Sequence, residues 1–383
     1  MALAGLEIAF PGSLTARYAG GSIMLGGIDL LAGLSQNVVA FSYTDNTNDK
    51  ADDLTVEISD PALTWLQAYV PKKGVEVEAI IRVQNWMMAG DTREFPCGTM
   101  WIDEIGLSGP PNVVTVKATS IPVSTGIKTQ KQYKFWEDQP LQAIASEIAE
   151  EYGLGLVWDT QESPTLKRTD VIEMAFLEYL RDRCKDEGLS LKLFNRQLVI
   201  YSEEEYEAKP PIYTIQYGLS QILAYNFASK LNDTYAASEN DYVSPETGKW
   251  LHGEHKPANP PEGSGSILKG NQRVEDDDDE SGGFTDPELR RRPRAFTDPI
   301  DVSPVESEKS AKIAKSKLRE KNKREKDCSL TLVGNTIYLS GFSVDLVGFG
   351  SFSGKWFIES TIHTIGENGY VTELQLRGAL EGY

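Results

Sequence analysis

Cysteine and histidine are scarce in this chain. Its 383 residues hold three of each: Cys97, Cys184 and Cys328, and His252, His255 and His363. Cysteines this few, odd in number and widely spaced suggest neither a disulfide framework nor a CxxC metal site; they read as reduced, packed small hydrophobes. No H-E-x-x-H, G-x-S-x-G or P-loop pattern occurs. Positive charge is short as well, with 38 Lys and Arg against 57 Asp and Glu and a net charge of −19. That balance argues against a protein that wraps duplex DNA, because basic side chains supply most of the affinity for phosphates. No segment reaches the ~18 uninterrupted apolar residues of a membrane-spanning helix. The stretch Gly20 to Gly33 is apolar, but Asp29 and its glycines do not suit a span. Met1 to Glu7 has no basic region ahead of an apolar core, so assembly in the cytoplasm is expected.

An apolar content of 40% and this length predict two or three domains with real cores. The first 120 residues read as strands. Val38–Tyr43 precedes a polar break at 46–53, after which Leu54, Val56 and Ile58 alternate with Thr55, Glu57 and Ser59. Val75, Val77, Ala79, Ile81 and Val83 keep the period of two. Met100, Ile102 and Ile105 do so with a phase change near Asp103-Glu104, and Val114 and Val116 close the set. Short strands separated by turns fit a small barrel or sandwich.

Beyond Pro122 the period changes. Leu141, Ile144, Ala145, Ile148 and Ala149 share a helical face after Asp138 and Pro140, which suit a cap and first turn, and Gly153 stops the run. A second helix is predicted over 174–187, with Phe176, Leu177, Leu180 and Cys184 inward and Gly188 ending it. Residues 189–194 and 197–201 predict a hairpin across Asn195-Arg196. This is an α+β insert of about eighty residues.

Lys209-Pro210-Pro211 marks the next boundary, and strands resume at 212–216 and 222–228. Tyr235 to Tyr242 leads to a turn at Pro245 to Gly248. Residues 257–304 are rich in proline, glycine and charge, including Glu275 to Glu280 and Arg290-Arg291-Arg292, and predict a mobile loop. A helix over 305–327 carries Lys and Arg around a thin apolar stripe of Ala311, Ala314 and Leu318. It reads as a solvated connector, or else as a basic face that docks on an acidic neighbouring subunit. The last fifty residues form a ladder: 329–333, 344–347, a strand placing Trp356, Ile358, Ser360 and Ile362 on one face and Phe357, Glu359, Thr361 and His363 on the other, the turn Glu367-Asn368-Gly369, and Val371 to Gly378 running back.

The series Gly334-Asn335, Leu339 to Gly341, Gly348-Phe349-Gly350, Ser353 to Trp356, His363 and Gly369-Tyr370-x-Thr372-Glu373-Leu374 resembles the C-terminal signature of the phage late control gene D protein family, the baseplate hub of contractile tails. Thr336 and Ser340 depart from it where the family often has proline. The resemblance implies a mainly β chain of two tail-tube-like β-barrel domains, at 1–122 and 209–383, with a two-helix and hairpin domain at 123–208 between them. It further implies a homotrimer at the baseplate of a virion or phage-tail-like particle. There the trimer joins a six-fold tail tube to a three-fold central spike and nucleates the tube, with DNA passing only as transiting cargo.

The residues themselves assign no catalytic, cofactor-binding or metal-ligating position, and no cofactor. His252 and His255 lack a third ligand of matching spacing. His363 falls within a strand, where packing or a cross-strand hydrogen bond suits it better than proton transfer. Gly348-x-Gly350 with Gly354 imitates a phosphate loop, but no helix follows. Asp276 to Asp279 lack the alternation of a calcium loop. Two rival readings remain: a tail-associated peptidoglycan hydrolase using some pair of the many carboxylates, and a carbohydrate-binding module stacking sugars on Trp65, Trp86, Trp101, Trp136 or Trp158.

Overall fold

The structure is a computed structural model that describes residues 16–32, 37–47, 50–68, 72–122, 126–231, 234–243, 248, 250–261, 264, 267–269 and 304–380. The first region comprises β1 (Tyr18–Leu25), β2 (Ile28–Asp29), β3 (Val38–Asn46), β4 (Asp53–Ser59), a short α1 (Thr64–Ala68), β5 (Glu76–Gln84), β6 (Thr92–Ser108) and β7 (Val113–Thr119). The insert holds β8 (Lys131–Pro140), α2 (Leu141–Glu151), β9 (Gly155–Asp159), β10 (Thr165–Ala175), α3 (Phe176–Asp186), β11 (Ser190–Phe194), β12 (Gln197–Tyr201) and α4 (Glu203–Ala208). Then come β13 (Tyr213–Gln216), β14 (Ile222–Ser229), β15 (Ala237–Val243), β16 (Trp250–His255), β17 (Ile267–Lys269), α5 (Pro304–Asn322), β18 (Lys326–Val333), β19 (Ser343–Val347), β20 (Gly354–Gly366) and β21 (Gly369–Gly378).

The two β regions join into one large, mainly antiparallel sheet, in the order β14-β18-β21-β20-β3-β4-β7-β6-β5-β1-β2, with β19 also on β20 and β13 parallel to β19. The seam is β3 on β20, from Asn46 opposite Ser360 to Ala40 opposite Gly366. Among the described residues no strand pairing closes this sheet into a barrel. Three buried apolar clusters lie along the chain. One gathers Phe41, Val56, Ile81 and Val116 under the first strands, a second Leu141, Ile148, Phe176 and Leu180 in the insert, and a third Leu330, Val344, Trp356 and Leu374 under the last strands.

Several local expectations hold. The ladder of β6 on β7 shifts register between Ile102 and Glu104, where the alternation changed phase. Phe176, Leu177, Leu180 and Cys184 are buried on α3, and Cys97 and Cys328 are buried as well. Asn195 and Arg196 both take positive φ in the β11–β12 turn, as a two-residue turn matched to strand twist requires.

Others are corrected. Pro140 occupies the α2 cap with no side-chain bond, and Asp138 sits at φ +49 in β8 instead of capping. In β20 a bulge between Ile358 and Ser360 reverses the alternation, so Trp356 and Ile358 are buried and then Thr361 and His363, not Ser360 and Ile362. The 13–residue strand reads as one period in sequence because a bulge adds a residue without a marker. The glycine-rich stretch after Gly20 forms β1, with Gly21 packed so closely on Phe41 that a Cβ would lie 2.2 Å from its ring. Residues Ile267–Lys269, within the span expected to be loop, pair parallel with β15; the acidic run 275–280 and the arginines 290–292 lie outside the described residues. The last helix ends at Asn322, and Asp327 is already in β18.

The helix α5 is no solvated connector. Ser310, Ala314, Leu318 and Asn322, four apart, are all buried, which puts one stripe against β15 and β16. Gly253 permits the approach, since a Cβ there would stand 2.3 Å from the Ser310 carbonyl carbon. Ser310 Oγ donates to Asn240 O at 2.8 Å and Asn322 Nδ2 to Tyr235 O at 2.8 Å, so the polar members of the stripe are satisfied.

Candidate functional site

The positions weighed for chemistry do not converge. His252 and His255 sit three apart on β16; the period of two sends their rings to opposite faces, and His252 is exposed. No group of three or more potential ligands gathers among the described residues. His363 is fully buried between strands. Its Nδ1 lies 2.8 Å from the Tyr370 hydroxyl and 3.2 Å from Thr372 Oγ1, and burial pushes its pKa down to about 4. It is therefore neutral at physiological pH and works as a cross-strand polar tie. After Gly348 and Gly350 comes only a single 3-10 turn, Gly350–Phe352, too short to aim a helix terminus at an anion. Trp65, Trp101 and Trp136 are buried, while half-buried Trp86 and Trp158 donate to the carbonyls of Gly334 and Glu162.

The structure instead concentrates its buried charge at two joints that fasten the insert to the sheet. In the first, Lys192 of β11 reaches across to the end of β3. Its ammonium is paired with Asp45 and lies 3.2 Å from Asp52 and 3.3 Å from Ser340 Oγ. The amides of Ser340 and Asn46 donate to Asp45 and Asp52, each at 2.8 Å. Asp52 is fully buried, with the buried Tyr43 side chain beside it. Burial, with Asp45 adding to it against the pull of Lys192, raises its pKa to about 7. Burial works against the Lys192 charge too, yet the two carboxylates outweigh it and hold that pKa above the usual lysine value.

The second joint is larger. Arg377 of β21, 1% exposed, pairs with Glu207 and lies 3.1 Å from Glu203, both on α4. Its guanidinium also stacks 4.3 Å over the Phe357 ring. From α5, Arg319 reaches Glu207 at 3.0 Å, and Lys323, just past the end of the helix, reaches Glu203 at 2.8 Å. Burial alone would push Glu203 up, but Lys323 and Arg377 prevail and its pKa is lowered. Further along α5, Lys312 contacts Glu162 and Glu187, and Lys315 contacts Glu204 at 2.7 Å. The basic face of α5 thus meets carboxylates of its own chain. Sequence could show that face but not its partner, because the pairing residues are more than a hundred positions apart.

Two exposed apolar surfaces complete the picture. The end strand β14 leaves Leu223 and Tyr225 exposed, beside Tyr217 and Leu219 in the preceding turn. A two-stranded ribbon of β8 and β10 projects Tyr133, Phe135 and Ile172.

With this geometry in view, comparison with known proteins is informative about the fold. No protein-family model matches the chain. A 127-residue stretch is 26% identical to the "Probable baseplate hub protein" of Escherichia phage P2; it spans 33% of this chain and only 30% of that relative's length. Among solved structures, the 43 kDa tail protein of prophage MuSo2 from Shewanella oneidensis superposes with a TM-score of 0.66 at 12% identity, covering 94% of this chain and 98% of its own. A tail protein from Neisseria meningitidis MC58 gives 0.64 at 13% identity, covering 94% and 96%. The Escherichia coli c3393 protein, a component of the type VI secretion system, gives 0.54 at 10% identity over 94% and 78%. The chain has the fold of these tail and secretion-system proteins, mostly β with large antiparallel sheets.

Proposed function

We propose that this chain is a structural baseplate hub protein of a contractile phage tail or phage-tail-like particle, of the late control gene D kind. Three copies form a ring, each contributing two tube-like β-barrel domains, at 1–122 and 209–383, with the α+β domain at 123–208 between them. Six similar β units in a three-fold ring match a six-fold tube above to a three-fold spike below, and give the first tube ring a template. The partners are the tube or its initiator, the spike and other baseplate proteins. The particle is built in the host cytoplasm, and DNA passes only as cargo. The role is mechanical, without catalysis or cofactor.

The observation that carries this reading is the seam of β3 on β20, which fuses the two β regions into one sheet while two ionic joints lock the insert onto it. A load-transmitting ring component needs such continuity, since hydrogen-bonded ladders and desolvated ion pairs resist shear between regions. The likeness to tail proteins over 94% of the chain supports the same reading. The acid excess fits a channel wall that repels phosphate and lets a duplex slide. The test is the mass in solution by light scattering, alone and mixed with candidate tube and spike proteins. A particle of three times the 42.4 kDa chain mass, alone or induced by the spike, is expected. A stable monomer that ignores both partners refutes the hub.

A further inference from the structure

We propose that β14 is the edge on which a second copy of this chain docks, by adding a strand of its β8–β10 ribbon. This rests on the ring reading above and names its contact. Natural sheets guard their end strands with charge, proline, bulges or brevity. β14 has eight residues, and the twenty residues from Pro210 to Ser229 carry no charged side chain in a chain that is 25% charged. Lys230 N donates to Glu325 O at 2.8 Å at the end of the β14–β18 ladder. The antiparallel alternation therefore turns the backbone N–H and C=O of Tyr225, Phe227 and Ser229 away from β18, to a side where no described strand pairs. Beside that edge lies an open cavity of about 520 Å³ lined by Tyr217, Tyr225, Phe227, Phe349 and Phe352, a slot for side chains of an added strand.

Charge identifies the occupant. Two chains of net charge −19 repel, and an uncharged edge is where they approach without like-charge cost. A closed three-fold ring uses a heterologous contact, so the edge meets a different surface of the next copy. Among the described residues the ribbon is the complementary surface. Among the described residues it pairs with no other strand. It places Tyr133 opposite Ile172, and it exposes Tyr133, Phe135 and Ile172 by 69%, 62% and 68%. Its ten-residue β8 is long enough to span the eight residues of β14.

The experiment uses the full chain. Ala224 is exposed on β14, so Ala224→Lys leaves the fold intact by circular dichroism and melting while placing charge on the edge. Its trimer dissociates at protein concentrations at least tenfold higher than the wild type's. The pair Leu223→Cys with Phe135→Cys, oxidised, yields covalently linked oligomers up to three chains, and neither single variant does; the three native cysteines are buried and do not compete. A wild-type trimer whose Ala224→Lys variant is equally tight and whose double-cysteine variant does not crosslink overturns the edge assignment and leaves the ring standing. Crosslinking by Leu223→Cys alone overturns the ribbon as occupant. A wild type that stays monomeric even with the spike overturns the ring itself.

Discussion

The two joints that hold the insert to the sheet are built with opposite surpluses of charge. The Lys192 joint sets one ammonium against Asp45 and Asp52, and the excess carboxylate is accommodated because Asp52 can take up a proton near neutrality. The Arg377 joint sets Glu203 and Glu207 against Arg377, Arg319 and Lys323, and spreads its excess over partly exposed Glu359 and Glu320 at the rim. One buried cluster therefore adjusts by protonation and the other by geometry. Burial alone does not decide whether a charge cluster responds to pH. The decisive quantity is whether a titratable group is left in excess and dry.

The sharpest way to break this contrast is Arg377→Ala. It strands Glu203 and Glu207 without their most buried partner, and a loss of about 3–5 kcal/mol in denaturant unfolding is expected. Adding Glu207→Gln to Arg377→Met recovers part of that loss, because the uncompensated charge is removed along with its partner. Lys192→Met is expected to cost less, about 2–3 kcal/mol, since Asp52 can neutralise itself; its cost is larger at pH 8 than at pH 6. If the two pH values give equal losses, the protonation argument is wrong.

Asp52→Asn sharpens the comparison through its sign. Asp52 binds its proton more tightly folded, with a pKa of about 7, than unfolded, at about 3.9, so its contribution to stability falls as pH climbs between those values. His363 runs the other way. Its folded pKa of about 4 lies below the unfolded value of about 6.5, so its contribution is lost as pH drops through that window. The Asn variant should gain melting temperature at pH 8 relative to pH 5, and leaves in acid the slope to which His363 and Glu203, both with lowered pKa, contribute. The smallest effect belongs to Lys315→Ala, whose partner Glu204 is half-exposed. A change of at most about 0.5 kcal/mol is expected from the same unfolding curves.

Local architecture was legible wherever a short-range rule applies. The phase change at Asp103-Glu104, the Asn195-Arg196 turn and the inward face of α3 each depend on neighbours within a few residues. What could not be read depends on distant partners. The β1 strand hides behind Gly20 and Gly21, the second of which clears Phe41, and the β20 bulge leaves no compositional mark. The stripe of Ala314 and Leu318 on α5 was visible, whereas Ser310 and Asn322 were not, because polar residues join a core only when particular acceptors await them. Of the candidate site, the basic face of α5 could be seen, but Lys192 and Asp45 are 147 positions apart, and no spacing rule connects them.

The seam between β3 and β20 also bears on how the molecule is made. Ser42 and Thr364, whose hydroxyls lie 3.4 Å apart across it, are separated by 322 residues. At roughly 5–20 residues per second a ribosome takes on the order of 15–60 s to deliver β20 after β3 has emerged. Throughout that interval β3 has β4 on one side and an unclaimed strand edge on the other, and the slow, non-local closure of the seam is the step at which nascent chains are exposed to mispairing.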